Sequence, residues 1–373
     1  MRICRTATSV DVMRLIDPID GAARRRLSER RIAEIRAMVD ERRGGSAFLR
    51  SRANVAWATA GGQHHVVTTA GEGVGALLVT GRGAWFLAPN IEAARLRDEE
   101  LGDLGIEIVA HDWWAPHGME RAVARLLPSE ADRPTLGDSV LDGELRTRRS
   151  RLDPLDHERM AMVGASAVAG AEGALADAQP GATEDELAAD LLGRLPGVRV
   201  PVVLVAADDR IARFRHPLPT ARPIHGRVML VLVAEAWGLH VALTRFRAWQ
   251  PDTDDLAQRW AAVQKVQHAM HAASRPGATL GEVFDVATRT YASTGFPDEW
   301  RHHHQGGTIA YEGRERVAVP DDPTVIESGM ALAWNPSIAG VKVEDTIVVG
   351  ISGPKVLTTA QSAGDQVHGV SPP

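Results

Sequence analysis

The chain has 373 residues, with Lys+Arg 42 against Asp+Glu 48 and a formal net charge of −6. That length predicts two domains at about 100–200 residues each, and 44% hydrophobic with 24% charged residues excludes global disorder. The mild negative balance gives no electrostatic footprint for nucleic acid, and no apolar run reaches the roughly 20 residues that would cross a bilayer. The single cysteine, Cys4, excludes an internal disulfide framework and fits a reducing, cytoplasmic compartment. The opening MRICRTATSVDVM lacks the apolar core of a signal peptide.

Residues 27–43 predict a helix, with Ile32, Ile35, Met38 and Val39 forming one apolar stripe among charges. The glycine-rich run GEGVGA at 71–76 has the wrong spacing for a dinucleotide fingerprint and reads as a flexible turn. GALLVTGRGAWFLAP predicts a hairpin turning at Gly81-Arg82-Gly83. IEAARLRDEEL predicts a helix and GIEIVAH a strand. The pair His64-His65 reads as a loop. The charged stretch TRRSRLDPLDHERM, with Pro154, marks a boundary near residue 150, which divides the chain into 1–150 and 151–373.

A long Ala-rich helix over about 156–178 follows, and with it an internal repeat. Pro180-Gly181-Ala182-Thr183 with Glu186 recurs as Pro276-Gly277-Ala278-Thr279 with Glu282, an offset of 276 − 180 = 96 residues. Each copy is a long helix, a Pro-Gly break and a Thr-x-x-Glu capping box opening a second helix. Each is followed by apolar strand-like segments. Two α-then-β halves packed about a pseudo-two-fold would share a cleft. Between the copies, RVMLVLVAEAWGLHVALTRF predicts two strands joined near Trp237-Gly238. The tail QSAGDQVHGVSPP reads as frayed.

Three segments bring polar groups into apolar sequence: RFRHPLPT with His216, EWRHHHQGGT with His302, His303, His304 and Gln305, and AWNPSI with VKVEDT, which carry Asn335 and Glu344. A carboxylate in a buried strand adds no stability unless paired, so Glu344 is either functional or ion-paired with Lys342, which shares its face. Successive strand residues point to opposite faces, so three consecutive histidines on a strand cannot all ligate one ion. One or two of them, with His216, are expected at the cleft.

The PGAT-E helix, RHPLPT, GLHVALTRF, HHQGG, NPSI and VEDTIVV together resemble the pita-bread domain of the creatinase, aminopeptidase P, prolidase and methionine aminopeptidase family. The resemblance covers about residues 150–360, and the first 150 resemble the N-terminal domain of the creatinase and prolidase branch. It implies an α+β fold: a pita-bread C-terminal domain behind a smaller α/β domain, in a homodimer. Family peptidases hold two metal ions with two Asp, one His and two Glu. The matching positions here are Val231, Ala242, His303, Asn335 and Glu344. Three of the five carry no matching ligand, and Glu235, four residues beyond Val231, would need a register slip to substitute. No tightly bound metal and no other cofactor is therefore expected. The creatinase branch cleaves C–N bonds without metal, and its acid/base histidine matches His216.

The resemblance thus implies a metal-independent hydrolase or eliminase acting on a small amino-acid-derived substrate. His216, His303, His304 and Glu344 would be catalytic, and Asn335, Thr244, Arg245 and Lys342 would bind substrate. Glu344 would meet a positive substrate group. Two alternatives stand beside it: an Xaa-Pro-type metallopeptidase with a degenerate metal site, and a non-catalytic binding protein that reuses the pocket.

Overall fold

A computed structural model describes residues 15–127 and 133–359. Cys4 and the QSAGDQVHGVSPP tail lie outside the described residues. The N-terminal layer begins with helix α1 (Gly21–Glu41), capped by the Asp20 side chain, whose predicted stripe is buried. Strand β1 (Ser46–Ser51), helix α2 (Arg52–Ala58), strands β2 (Glu72–Thr80) and β3 (Ala84–Pro89), helix α3 (Asn90–Arg95), strand β4 (Glu107–His111), helix α4 (Gly118–Leu126), strand β5 (Thr135–Gly137) and helix α5 (Asp138–Ser150) follow. The sheet order is β4-β3-β2-β1-β5, antiparallel at its centre and parallel at both edges.

The predicted hairpin is β2–β3, but GEGVGA is not a turn. Glu72 to Ala76 already belong to β2. The glycines are there for close packing. A Cβ on Gly73 would fall 2.1 Å from the His64 ring, and one on Gly75 would fall 2.4 Å from the Leu87 carbonyl oxygen.

The C-terminal part begins with helix α6 (Pro154–Asp177), opened by a capping box between Asp153 and Asp156. Helix α7 (Glu184–Gly193), strand β6 (Arg199–Ala207), short helix α8 (Asp209–Arg213) and strands β7 (Arg227–Ala236) and β8 (Leu239–Ala248) complete the first half. The second half contains helices α9 (Asp254–Ala273) and α10 (Leu280–Ser293), then strands β9 (Gly306–Thr308), β10 (Arg316–Val317), β11 (Ala331–Trp334), β12 (Ser337–Ile338), β13 (Val341–Lys342), β14 (Asp345–Gly350) and β15 (Gly353–Val356). One sheet runs β6-β7-β8, a second β10-β9-β11-β14-β15, and β12 pairs with β13 alone.

The repeat is structural. Thr183 and Thr279 both close capping boxes, with Glu186 and Glu282. Gly181 donates to the Ile224 carbonyl at 2.7 Å, and Gly277 donates to the Ile326 carbonyl at 2.9 Å, both at positive φ. The two halves meet where Thr244 of β8 donates its backbone N–H to the Glu344 carbonyl at 3.1 Å. Glu344 thus sits on the seam between the sheets.

Candidate active site

The β7–β8 hairpin is the platform. Trp237 and Gly238 turn it, both at positive φ (51° and 79°), the backbone a two-residue hairpin requires. Strand alternation then separates neighbours. Thr244 faces the seam and donates its hydroxyl to Glu344 Oε2 at 2.9 Å. Arg245, expected to bind substrate, points to the opposite face. It is buried among Asp345, the Thr358 carbonyl and Glu172, and does not reach the pocket.

Glu344 is 2% exposed, and both its oxygens are taken. Lys342 Nζ donates to Oε2 at 2.7 Å and Arg314 donates to Oε1 at 2.7 Å. Burial opposes its ionisation, but the two cations outweigh burial and hold its pKa at about 2. Burial lowers the Lys342 pKa and outweighs the opposing pull of Glu344. Glu344 is therefore not free to take a positive substrate group. With one carboxylate between two cationic side chains, the formal balance is one positive charge.

The histidines converge without a strand. Glu299–His302 form a tight helical turn and His303–Gln305 an irregular link into β9, so the alternation rule does not apply to them. His302 stays outside, while His303 and His304 turn inward together. Gln305 fixes the link by donating to the His303 carbonyl at 2.6 Å while accepting from the Tyr291 hydroxyl at 3.0 Å. His216 arrives from the first half. Its neighbour Arg215 is tied to Glu299 at 2.6 Å and donates to Ser337 Oγ at 3.1 Å.

The three rings lie with centroids 5.0, 5.7 and 4.7 Å apart. His303 Nε2 and His216 Nε2 are 3.2 Å apart, so that one ring donates and the other accepts. On its other side, His303 Nδ1 lies 3.1 Å from Ser337 Oγ. Burial, and after it Lys342, lowers the pKa of His216 and takes His303 to about 2. Burial and then Arg314 take His304 to about 4. All three imidazoles are neutral at pH 7.

His216 and His304 line a pocket of about 330 Å³ together with Asn335, Arg314, Lys342 and Glu344 and an apolar set, Val202, Leu204, Val231 and Val233, while His303 sits behind His216. A wider cavity of about 590 Å³ adjoins it through Pro201, His240 and Gly313, and runs out between β6 and the N-terminal layer. The smaller pocket is where ionisable groups converge. Glu235 lines the wider one, paired with Arg199 at 2.6 Å and the Gly238 N–H at 2.9 Å, so it does not stand in at the seam. His64 is buried against Phe86 in the N-terminal layer.

The positions aligned with the family's ligands do not fit a two-ion cage. Val231 and Ala242 offer no donor atom, Asn335 offers one amide oxygen, and the Glu344 oxygens are already bound to protein cations. Asn335 Oδ1 and His304 Nδ1 are buried without a hydrogen-bond partner. Sequence reasoning missed Arg314 and Ser337. Nothing local marks either, and both act through contacts about 30 residues or more along the chain.

The model of the family described as "Metallopeptidase family M24" matches residues 158–350, more than half of the chain. The chain is 27% identical over 185 residues to proteins described as "Probable dipeptidase PepE" from Mycobacterium bovis and Mycobacterium tuberculosis. That alignment covers 47% of this chain and about half, 49%, of those relatives. Among solved structures it is similar to an Xaa-Pro dipeptidase from Bacillus anthracis, with 20% identity, a TM-score of 0.74 and coverage of 91% of this chain and 99% of that one. It is also similar to dipeptidase PepE from Mycobacterium ulcerans, with 21% identity, a TM-score of 0.69 and coverage of 91% and 97%. The fold is the pita-bread architecture behind a smaller α/β layer, and with the family model spanning its repeated half, seam and pocket, the chain belongs to metallopeptidase family M24.

Proposed function

We propose that the protein hydrolyses an amide-type C–N bond in a small, carboxylate-bearing substrate of dipeptide size, and that imidazoles move the protons without a two-ion cage. One observation carries the reading: His216, backed by His303, and His304 line a pocket shared with the formally net-positive Lys342–Glu344–Arg314 triad. The positive triad suits a substrate carboxylate or the oxyanion that forms at the scissile carbonyl. The dipeptidases among its relatives favour a peptide-like substrate. The apolar wall favours an aliphatic side chain or ring beside the scissile bond.

The Ser337–His303–His216 chain admits two proton arrangements. In one, His216 donates through Nε2 to His303, which donates through Nδ1 to Ser337, and His216 Nδ1 is bare. In the other, Ser337 donates to His303, His303 donates to His216 Nε2, and His216 Nδ1 carries the proton. The first lets His216 take a proton from the attacking water. The imidazolium so formed, with both ring nitrogens protonated, returns that same Nδ1 proton to the leaving nitrogen and regains the first arrangement. Asn335 Oδ1, unpartnered in the pocket, accepts from the substrate.

The test is turnover of dipeptides, Xaa-Pro dipeptides included, and of N-acyl and N-carbamoyl amino acids, followed by mass spectrometry in EDTA-dialysed protein. Cleavage that survives the chelator is expected. The family name and the dipeptidase relatives favour a second reading, an Xaa-Pro-type metallopeptidase, and cleavage that appears only with added Mn²⁺ or Co²⁺ would select it. Binding with no cleavage in either state would point to a binding protein. We further propose a cytoplasmic homodimer, and a monomer in sedimentation at micromolar concentration would remove the dimer.

A further inference from the structure

Three imidazoles in one small volume are a metal-binding chemistry of their own, separate from a cage of carboxylates. His216, His303 and His304 bring ligand-competent nitrogens within 4.8 Å of one another, the one such group of three or more among the described residues. The 3.2 Å between His216 Nε2 and His303 Nε2 matches the roughly 3.3 Å edge of a tetrahedron whose metal–nitrogen bonds are about 2.0–2.1 Å. One of these nitrogens, His304 Nδ1, is buried without a partner, and so is Asn335 Oδ1 in the same pocket. The site also has an orienting layer. Ser337 Oγ faces His303 Nδ1 and is itself held by Arg215. The pocket leaves an open side for water.

We propose that His216, His303 and His304 form a single-ion site for a borderline-soft divalent metal of the Zn²⁺ class, and that its occupation switches the enzyme off. Neutral imidazoles select Zn²⁺, Co²⁺ or Cu²⁺ over Mg²⁺ and Ca²⁺, which need oxygen ligands. The formal positive charge left by Lys342 and Arg314 around Glu344 weakens the hold, so the ion exchanges instead of staying resident. The proton inventory balances. The ion takes the Nε2 lone pairs of His216 and His303, and each ring keeps its one proton on Nδ1. His303 then donates to Ser337, and His216 has no basic nitrogen left for water. The same atoms cannot carry the relay and the ion together.

The experiment uses the full-length, tag-free chain after EDTA dialysis, titrated with Co²⁺ and followed by its visible absorption, with Zn²⁺ competition by calorimetry. One equivalent per chain is expected, with the intense bands of a four- or five-coordinate ion. His216→Ala changes an exposed residue and leaves the fold intact, and it should weaken binding at least tenfold. His304→Gln should do the same, and His302→Ala should leave binding unchanged. Absence of saturable binding, or binding as strong in the His216→Ala/His304→Gln double variant as in the wild type, would overturn the site. This readout needs no substrate, so it stands apart from the fate of the hydrolase reading. Where turnover is measured, Zn²⁺ should abolish it, and stimulation by Zn²⁺ would overturn the switch.

Discussion

Glu344 and Glu315 are both buried carboxylates clasped by two cations, yet they occupy opposite kinds of place. Glu315 is gripped by Arg149 at 2.7 and 3.1 Å, with Arg146 beside it, and also accepts the Tyr311 and Glu312 backbone N–H groups. It lies in a closed joint where Arg149 also bonds Asn54 of α2. Glu344 is gripped by Lys342 and Arg314 but looks into a cavity edged by imidazoles and by two polar atoms without partners. A satisfied network with no cavity is a fastening. A network of the same charges beside an open space with polar atoms to spare is a place for a ligand. Burial and ion pairing alone do not separate the two.

The largest effect should come from the fastening. Arg149→Ala strands the Glu315 charge and should cost about 3–5 kcal/mol in urea-induced unfolding. An unchanged midpoint would erase the contrast with Glu344. Next is the relay, where His216→Ala should lower turnover at least about a hundredfold with an unchanged unfolding midpoint. Wild-type turnover would remove His216 from the chemistry.

Acid should act on the Glu344 side first. The folded-state pKa of His304, about 4, lies below its ordinary value near 6.5. The stabilisation is therefore complete above pH 6.5 and is lost as the pH falls from 6.5 toward 4. The thermal midpoint should drop between pH 7.5 and 5, and drop less in His304→Gln. An equal drop in both would sever the link. The smallest effect is Arg314→Ala. It should raise KM for carboxylate-bearing substrates about tenfold, equivalent to about 1.4 kcal/mol, with a lesser change for esters or amides of the same compounds. Equal changes for both would show that Arg314 does not read the carboxylate.

Much of the fold was legible because its signals are local. The two PGAT capping boxes, the Trp237-Gly238 turn and the apolar runs of β7 and β8 each need only a few consecutive residues. GEGVGA failed because its glycines answer to His64 and Leu87, neighbours that sequence spacing does not reveal. The sequence places one or two of the three histidines at the cleft, and His303 and His304 turn inward through an irregular link to which the strand rule does not apply. Arg245 was over-read, since its partner Asp345 lies 100 residues away on the far face. Arg314 was invisible for the same reason, as a charged residue whose meaning is set by Glu344 30 residues on.

Arg314 and Glu315 are consecutive, so one short stretch of backbone serves the pocket and the joint at once. A change that re-aims the first tugs on the second, and drift in this stretch is penalised twice. New substrate preferences would be more easily acquired on the aliphatic side of the same pocket at Val202, an exposed side chain that belongs to neither network.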